Sequence, residues 1–285
     1  MHKVTRQVRF SINPFLPEDS PGFNSYSSRP AGEGFSIFFE LGVGVVGDVE
    51  PTTGFVVNVV DIDRCVREYV VPIFAKRIRE NYRLGRHIGF SEIAELLKST
   101  QKQLAGKFGK AILGELTLKL NPFRKVAIDC EDNKMIYLSE KFEFAAMHKL
   151  WNDDFTRERN FEVFGKCANP AGHGHNYILE VTVKTPTGEG FCIGDFEKTV
   201  DDEFIRLVDH KNLNADVTEF AGTNPTVENI AVLAWDKLAG KFRGPQTRNN
   251  AFVHRTPDGG EPLSKVSLHS IVIWENDRTC CTYYG

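Results

Sequence analysis

The segment CANPAGHGHNY, residues 167–177, sets one thiol and two imidazoles around glycine, proline and asparagine. In extended backbone, residues two apart project to the same face. His173 and His175, with only Gly174 between them, therefore present two imidazoles side by side. Such a pair suits a divalent metal with nitrogen ligands, zinc first. A third ligand must come from elsewhere, and His148 in FEFAAMHKLWN is the natural candidate, since its segment reads as the neighbouring strand. Three histidines leave one coordination position open, the pattern of a catalytic rather than a structural zinc. Cys167 stands close by in sequence as a candidate base.

Each of these residues has an ordinary alternative. An HxH pair in a strand is often polar surface or a core hydrogen-bonder, and a cysteine beside glycine and proline is more often inert. The weight comes from a near copy, SSRPAGEGFSI, at residues 27–37. It keeps the Ala, Pro and Gly framework but puts Glu33 for His173, Phe35 for His175 and Ser27 for Cys167. The framework persists while the chemical groups go, which suggests that the three belong to one function.

The elements that must hold these residues repeat as well. TTGFVVNVVDI (52–62) resembles GEGFCIGDFEK (188–198), and LAGKF occurs at 104–108 and again at 238–242. Order is kept throughout, so the chain reads as one module used twice, 1–132 and 133–285, with CEDNK (130–134) at the junction. HNYILEVTVKT and FSIFFELGV have the β-branched and aromatic content of strands. DFEKTVDDEFIRLVDH predicts a helix with Phe196, Val200, Phe204, Leu207 and Val208 on one stripe and Asp195 as its cap. DIDRCVREYVVPIF is its counterpart, and Pro72 is expected to end or kink it. NPTVENIAVLAWDKLAGKF and SEIAELLKSTQKQLAGKF predict second helices, the former starting at Pro225 or Thr226. Each module then closes with strands. The expected class is α+β: two tandem modules, each an antiparallel four-stranded sheet with a helix pair on one face.

Composition narrows the function classes. With 41% apolar and 26% charged residues and a net charge of −3, the 285-residue chain has no global basic field for nucleic acid or anionic membrane. No continuous apolar run serves as a signal or a membrane span, so a cytoplasmic protein is expected. Six cysteines are too few for a disulfide scaffold, and Cys65, Cys130 and Cys192 read as small core residues. Cys280 and Cys281 read as incidental members of a strand.

FGKCANPAGHGHNY, with FAAMHKL before it and VDHKNLN after it, resembles the 6-pyruvoyltetrahydropterin synthase family from about Phe142 to the last strand. The resemblance implies a tunnelling fold (T-fold), zinc on three histidines, and homo-oligomeric barrels with active sites at subunit contacts; a dimer or a trimer of tandem chains is expected. The zinc ligands would be His148, His173 and His175, and Cys167 the proton-abstracting base. Asp209 and His210 in VDHKNL would complete a proton relay, although alone they read as a polar pair at a helix C-terminus. Glu275 in IWEND would anchor the pterin, with Thr226 and Glu228 nearby; Glu228 alone reads as a complement to a helix N-terminus. The implied substrate is a small pterin, dihydroneopterin triphosphate, converted to 6-pyruvoyltetrahydropterin with elimination of triphosphate. Lys166, Arg157 and Arg159 are the cations near the site. The sister activity of the queuosine pathway, 6-carboxytetrahydropterin synthase, releases acetaldehyde at a similar site; there the cysteine commonly lies three residues before the HGH triplet, whereas here residues 168–172 intervene. A silent pterin- or purine-binding module is the non-enzymatic alternative.

Overall fold

Strand alternation organises the first part of the chain. In β1 (His2–Ile12), Val8, Phe10 and Ile12 are buried, while Lys3, Thr5, Gln7 and Arg9 face solvent. β2 (Ile37–Gly47), β3 (Ile112–Lys119) and β4 (Arg124–Asp129) follow, each antiparallel to its predecessor, in the order β1-β2-β3-β4. The computed structural model describes residues 1–15, 35–131, 135–186, 190–242 and 266–285. It divides into two compact units: Met1–Leu138 with Thr185–Phe191, and Ser139–Lys184 with Cys192–Gly285.

The helical stripes of the first unit cover its apolar sheet face. α1 (Val59–Cys65), capped by the Asn58 side chain, runs through a π-helical turn, Val66–Val70, into α2 (Val71–Arg83). Ile62, Val66, Val70 and Phe74 are fully buried. Phe10 stacks on Phe39 with ring centroids 5.3 Å apart, and Phe74 stands edge-on to both. α3 (Phe90–Leu104) completes the layer. Pro72 does not end the helix: it sits in the first turn of α2, just after the wide π turn, and the helix continues to Arg83.

The second unit contains β5 (Ile136–His148), α4 (Arg157–Phe164), β6 (His173–Thr185), α5 (Ile193–Val200) and α6 (Arg206–Val208). β7 (Lys211–Asn212), α7 (Val227–Leu238), β8 (Ser267–Asn276) and β9 (Thr279–Tyr283) follow. The sheet runs β5-β6-β8-β9, antiparallel from β6 onward, and β7 lies parallel to Ala146 and Met147 of β5. A π-helical turn, Asp201–Ile205, joins α5 to α6. Phe144 stacks on Tyr177 at 5.0 Å and Phe204 stands edge-on to Phe144 at 5.9 Å. Asp195 is not the cap of α5. That position belongs to Cys192, which makes no side-chain capping bond and is exposed rather than in the core; Asp195 lies in the first turn. The β2–β3 register shifts at Gly44/Val45 and the β6–β8 register at Thr182/Val183. Leu104 and Phe108 of one LAGKF, like Leu238 and Phe242 of the other, are buried.

The fold is thus α+β, with antiparallel sheets and several helices. Among the described residues no helix is long and apolar enough to cross a membrane. Ser27 and Glu33 of the near copy, and residues 132–134 of the charged junction, lie outside the described residues.

Candidate active site

The three histidines meet where β5 ends and β6 begins. His148 closes β5 on its buried face, and His173 and His175 take alternate positions at the start of β6. Their ring centroids are 4.5–5.2 Å apart, and one ligand atom from each lies within 4.8 Å of the others. His148 Nε2 is 3.0 Å from His173 Nε2. Gly172 makes this approach feasible. Its φ is +70°, and a Cβ there would stand 2.9 Å from the His148 carbonyl oxygen.

Hydrogen bonding orients the His148 ring. Its Nδ1 lies 2.7 Å from the carbonyl oxygen of Pro225, just before α7. A carbonyl only accepts, so Nδ1 carries the proton and Nε2 keeps its lone pair toward the other two histidines. The Tyr177 hydroxyl lies 3.4 Å from the same Nδ1. Burial, above all, holds the pKa of His148 below its ordinary value despite the Pro225 hydrogen bond, and burial also lowers that of His175. Both imidazoles are therefore neutral at neutral pH, the form a metal takes.

Glu275, near the end of β8, brings a carboxylate to this cluster. Its Oε1 is 3.4 Å from His175 Nε2 and 3.6 Å from His148 Nε2. Cys167 lies in the 3₁₀ turn Gly165–Ala168 that follows α4. Its carbonyl accepts the Leu150 N–H at 2.9 Å, which ties the turn to the segment just after His148. Asn160 builds the intervening loop from the inside: fully buried, it donates to the carbonyls of Asn152, Phe155 and Thr156 and accepts the Asn152 N–H. Burial and then the Glu275 charge push the Cys167 thiol up, so in the metal-free chain it is protonated.

Other residues named from sequence fall elsewhere. Asp209 accepts the Ala145 N–H at 2.9 Å and lies 2.9 Å from His210 Nδ1, two contacts that hold its carboxyl below the usual range. His210 has φ +55° and is 82% exposed. The pair is thus anchored on the backbone of β5, three residues before His148. A cavity of about 580 Å³ has Met147, Gly174, His175, Asn176, His210 and Lys211 in its wall, so His210 and His175 border the same space. Among the described residues no hydrogen bond joins the Asp209–His210 pair to Cys167. Thr226 caps α7 through the Asn229 N–H at 3.3 Å. Glu228 is exposed in the first turn of α7, where it adds to burial in raising the Cys281 thiol. Arg159 pairs with Glu162, and Arg157 lies over the Phe161 ring.

The donor set fits a tetrahedral divalent cation. Zinc–nitrogen bonds of about 2.0–2.1 Å put neighbouring ligand nitrogens about 3.3 Å apart, near the His148–His173 spacing. His175 Nε2 is buried without a hydrogen-bond partner, an orphan that a metal would satisfy. Three imidazoles leave room for a further oxygen, and the Glu275 carboxylate adds compensating negative charge. Type and spacing single out the three histidines that the structure brings together, and the thiol of Cys167. They miss Pro225, Asn160 and Tyr177: a backbone carbonyl, a loop staple and a core phenol carry no spacing signal.

The fold and the cluster define an α+β protein with a three-histidine site suited to a metal, beside a thiol and a carboxylate. A family model described as 6-pyruvoyl tetrahydropterin synthase matches residues 137–285. The chain belongs to that family. It is 38% identical over 125 residues to the Drosophila melanogaster 6-pyruvoyl tetrahydrobiopterin synthase, covering 42% of this chain and 74% of that one. For the Homo sapiens protein of the same name the identity is 37% over 130 residues, covering 41% of this chain and 90% of the relative. The 6-carboxy-5,6,7,8-tetrahydropterin synthase of Aquifex aeolicus is 26% identical over 172 residues, 51% of this chain and 96% of that one. The structure of Caenorhabditis elegans 6-pyruvoyl tetrahydropterin synthase covers 53% of this chain and 96% of its own, at 27% identity and a TM-score of 0.43.

Proposed function

We propose that this chain is a zinc-dependent lyase that converts dihydroneopterin triphosphate to 6-pyruvoyltetrahydropterin with elimination of triphosphate. The convergence of His148, His173 and His175 beside Cys167 and Glu275 carries the reading, in a chain whose relatives bear that enzyme's name. Zinc, when bound, supplies positive charge that polarises the side-chain hydroxyls of the substrate and favours the Cys167 thiolate. Cys167 takes a proton from the side-chain carbon next to the ring, that bonding pair passes into the ring C=N, and the enol so formed becomes a ketone. Loss of a second proton from the next carbon supplies the pair that expels triphosphate, and the enol left behind becomes the second ketone. Asp209 and His210 move protons to and from the side-chain oxygens. Glu275 accepts paired N–H bonds from the amino-pyrimidine edge of the pterin. Thr226 and Glu228 border that edge at the start of α7.

With no hydrogen bond among the described residues from Asp209 or His210 to Cys167, the relay is completed by a second copy in a homo-oligomer. Residues 133–285 form the catalytic T-fold module and 1–132 a degenerate copy that binds no zinc. The stacked Phe10–Phe39 and Phe144–Tyr177 pairs, the two π turns and the two register shifts support this pairing of modules. Matching Phe39 to Tyr177 shifts the pairing of the two copies two places: Phe35 and Ile37 take the positions of His173 and His175. Leu120 takes that of Glu275, by the matched register shifts. The protein acts in the cytoplasm.

The 6-carboxytetrahydropterin reaction is the second reading, favoured by the match to nearly the whole Aquifex relative. Against it stands the longer spacing of Cys167 from His173. Replacing Cys167 by Ala tests the base: turnover should vanish while zinc content stays at the wild-type level. A fully active variant would remove Cys167 from the mechanism.

A further inference from the structure

The turn before α7 makes contacts that the reaction above does not use. Pro225, buried, offers its carbonyl to His148 Nδ1 at 2.7 Å. The preceding residue, Asn224, accepts the Trp151 N–H through Oδ1 at 2.8 Å, three positions beyond His148. The Asn224 carbonyl in turn accepts the Asn229 side-chain amide at 2.8 Å and the Thr226 N–H at 2.9 Å. The turn is therefore clamped on two sides, to the exit of β5 and to the first turn of α7. Between the clamps sits the one acceptor that decides which nitrogen of His148 keeps its lone pair.

We propose that Asn224 is a positioning residue of the metal centre. By tying the turn to Trp151 it keeps the Pro225 carbonyl on His148 Nδ1, so that Nε2 faces His173 and His175 with its lone pair free. The inference rests on the reading of the three histidines as metal ligands. A neutral imidazole can carry its proton on either nitrogen and can turn about its side-chain bonds. A fixed acceptor on one nitrogen removes both freedoms before the metal arrives. Tyr177, 3.4 Å from the same Nδ1, cannot replace that acceptor at full strength, because the contact is long. Nothing in a search for ligand-type side chains would find this device, since its working atom is a backbone oxygen.

The test compares Asn224→Ala with Asn224→Asp in the full chain, since aspartate keeps an oxygen for the Trp151 N–H and alanine does not. Zinc affinity is read by competition with a chelator, the His148 tautomer by nitrogen NMR of the zinc-free protein, and zinc-free stability by thermal unfolding. Loss of an outer partner of a ligating histidine lowers metal affinity about 10–100-fold, the drop expected for N224A. N224D should bind as the wild type does. His148 should be protonated at Nδ1 alone in the wild type and at a mixture of both nitrogens in N224A. Unchanged zinc affinity in N224A would overturn the proposal, as would an equal loss in N224D. A loss with an unaltered tautomer, tracking a fall in zinc-free stability, would also overturn it by showing a merely structural role. Wild-type protein that binds no zinc would instead overturn the metal reading itself, and this inference with it.

Discussion

Gly172 shows how closely the residues around the histidines are constrained. With φ at +70° and its missing Cβ 2.9 Å from the His148 oxygen, it admits no side chain without moving His148. Gly172→Ala should cost roughly 1–3 kcal/mol in strain and weaken zinc binding as well. Thermal unfolding and chelator competition would check the two effects separately; a variant unchanged in both would contradict the geometry. The lowered pKa values of His148 and His175 give a second expectation. In the unfolded chain both imidazoles take protons near the ordinary value of 6.5, before the folded chain does. The unfolded state thus binds more protons between 6.5 and the lower folded values, so stability is fully present above that window and lost as pH falls through it. Denaturant unfolding of the chelated protein from pH 8 to about 5 should follow this course and flatten when both histidines are replaced. At this scale the sequence is read well where a side chain does the work. The period of two put His173 and His175 on one face, but no rule of spacing points to the Pro225 carbonyl.

Elements place the thiol. Cys167 reaches the site on a 3₁₀ turn after α4, and the loop leading into that helix is folded around Asn160. Asn160→Ala leaves the half-buried Asn152 N–H without its acceptor and removes the side-chain amide that ties three carbonyls together, which should cost about 1–3 kcal/mol. Activity at permissive temperature should fall with it, because the Cys167 turn is held by the same loop. A midpoint of unfolding unchanged by the substitution would deny Asn160 this role. The helical stripes were legible because burial of Phe196, Val200 and Phe204 follows the 3.6-residue period. What periodicity cannot encode is a change of period. Pro72 looked like a helix stop, yet the π turn before it absorbs the ring, and the apolar face resumes at Phe74. Cys192 likewise looked apolar from its neighbours but stands at an exposed helix start.

On the scale of the whole molecule, the proposed pairing of modules predicts one zinc per chain, not two. The positions matched to the ligands in the first module are Phe35 and Ile37, and Leu120 replaces the carboxylate, so no donor is left there. Metal analysis of purified chain should give one equivalent, falling to none in His173→Ala; two equivalents would end the idea of a zinc-free first module. The sequence suggests the proposed duplication through LAGKF and the glycine framework but does not suggest its register, because an aligned glycine says less than a stacked ring. The stacked aromatic pairs support a match two residues from the one the glycines suggest. The central claim is the reaction, and one measurement addresses it most directly. Zinc-loaded protein is incubated anaerobically with dihydroneopterin triphosphate, and the products are identified by mass. The account predicts free triphosphate and a 6-pyruvoyl product. Acetaldehyde with a 6-carboxy product, or no conversion by protein that holds its zinc, would contradict it.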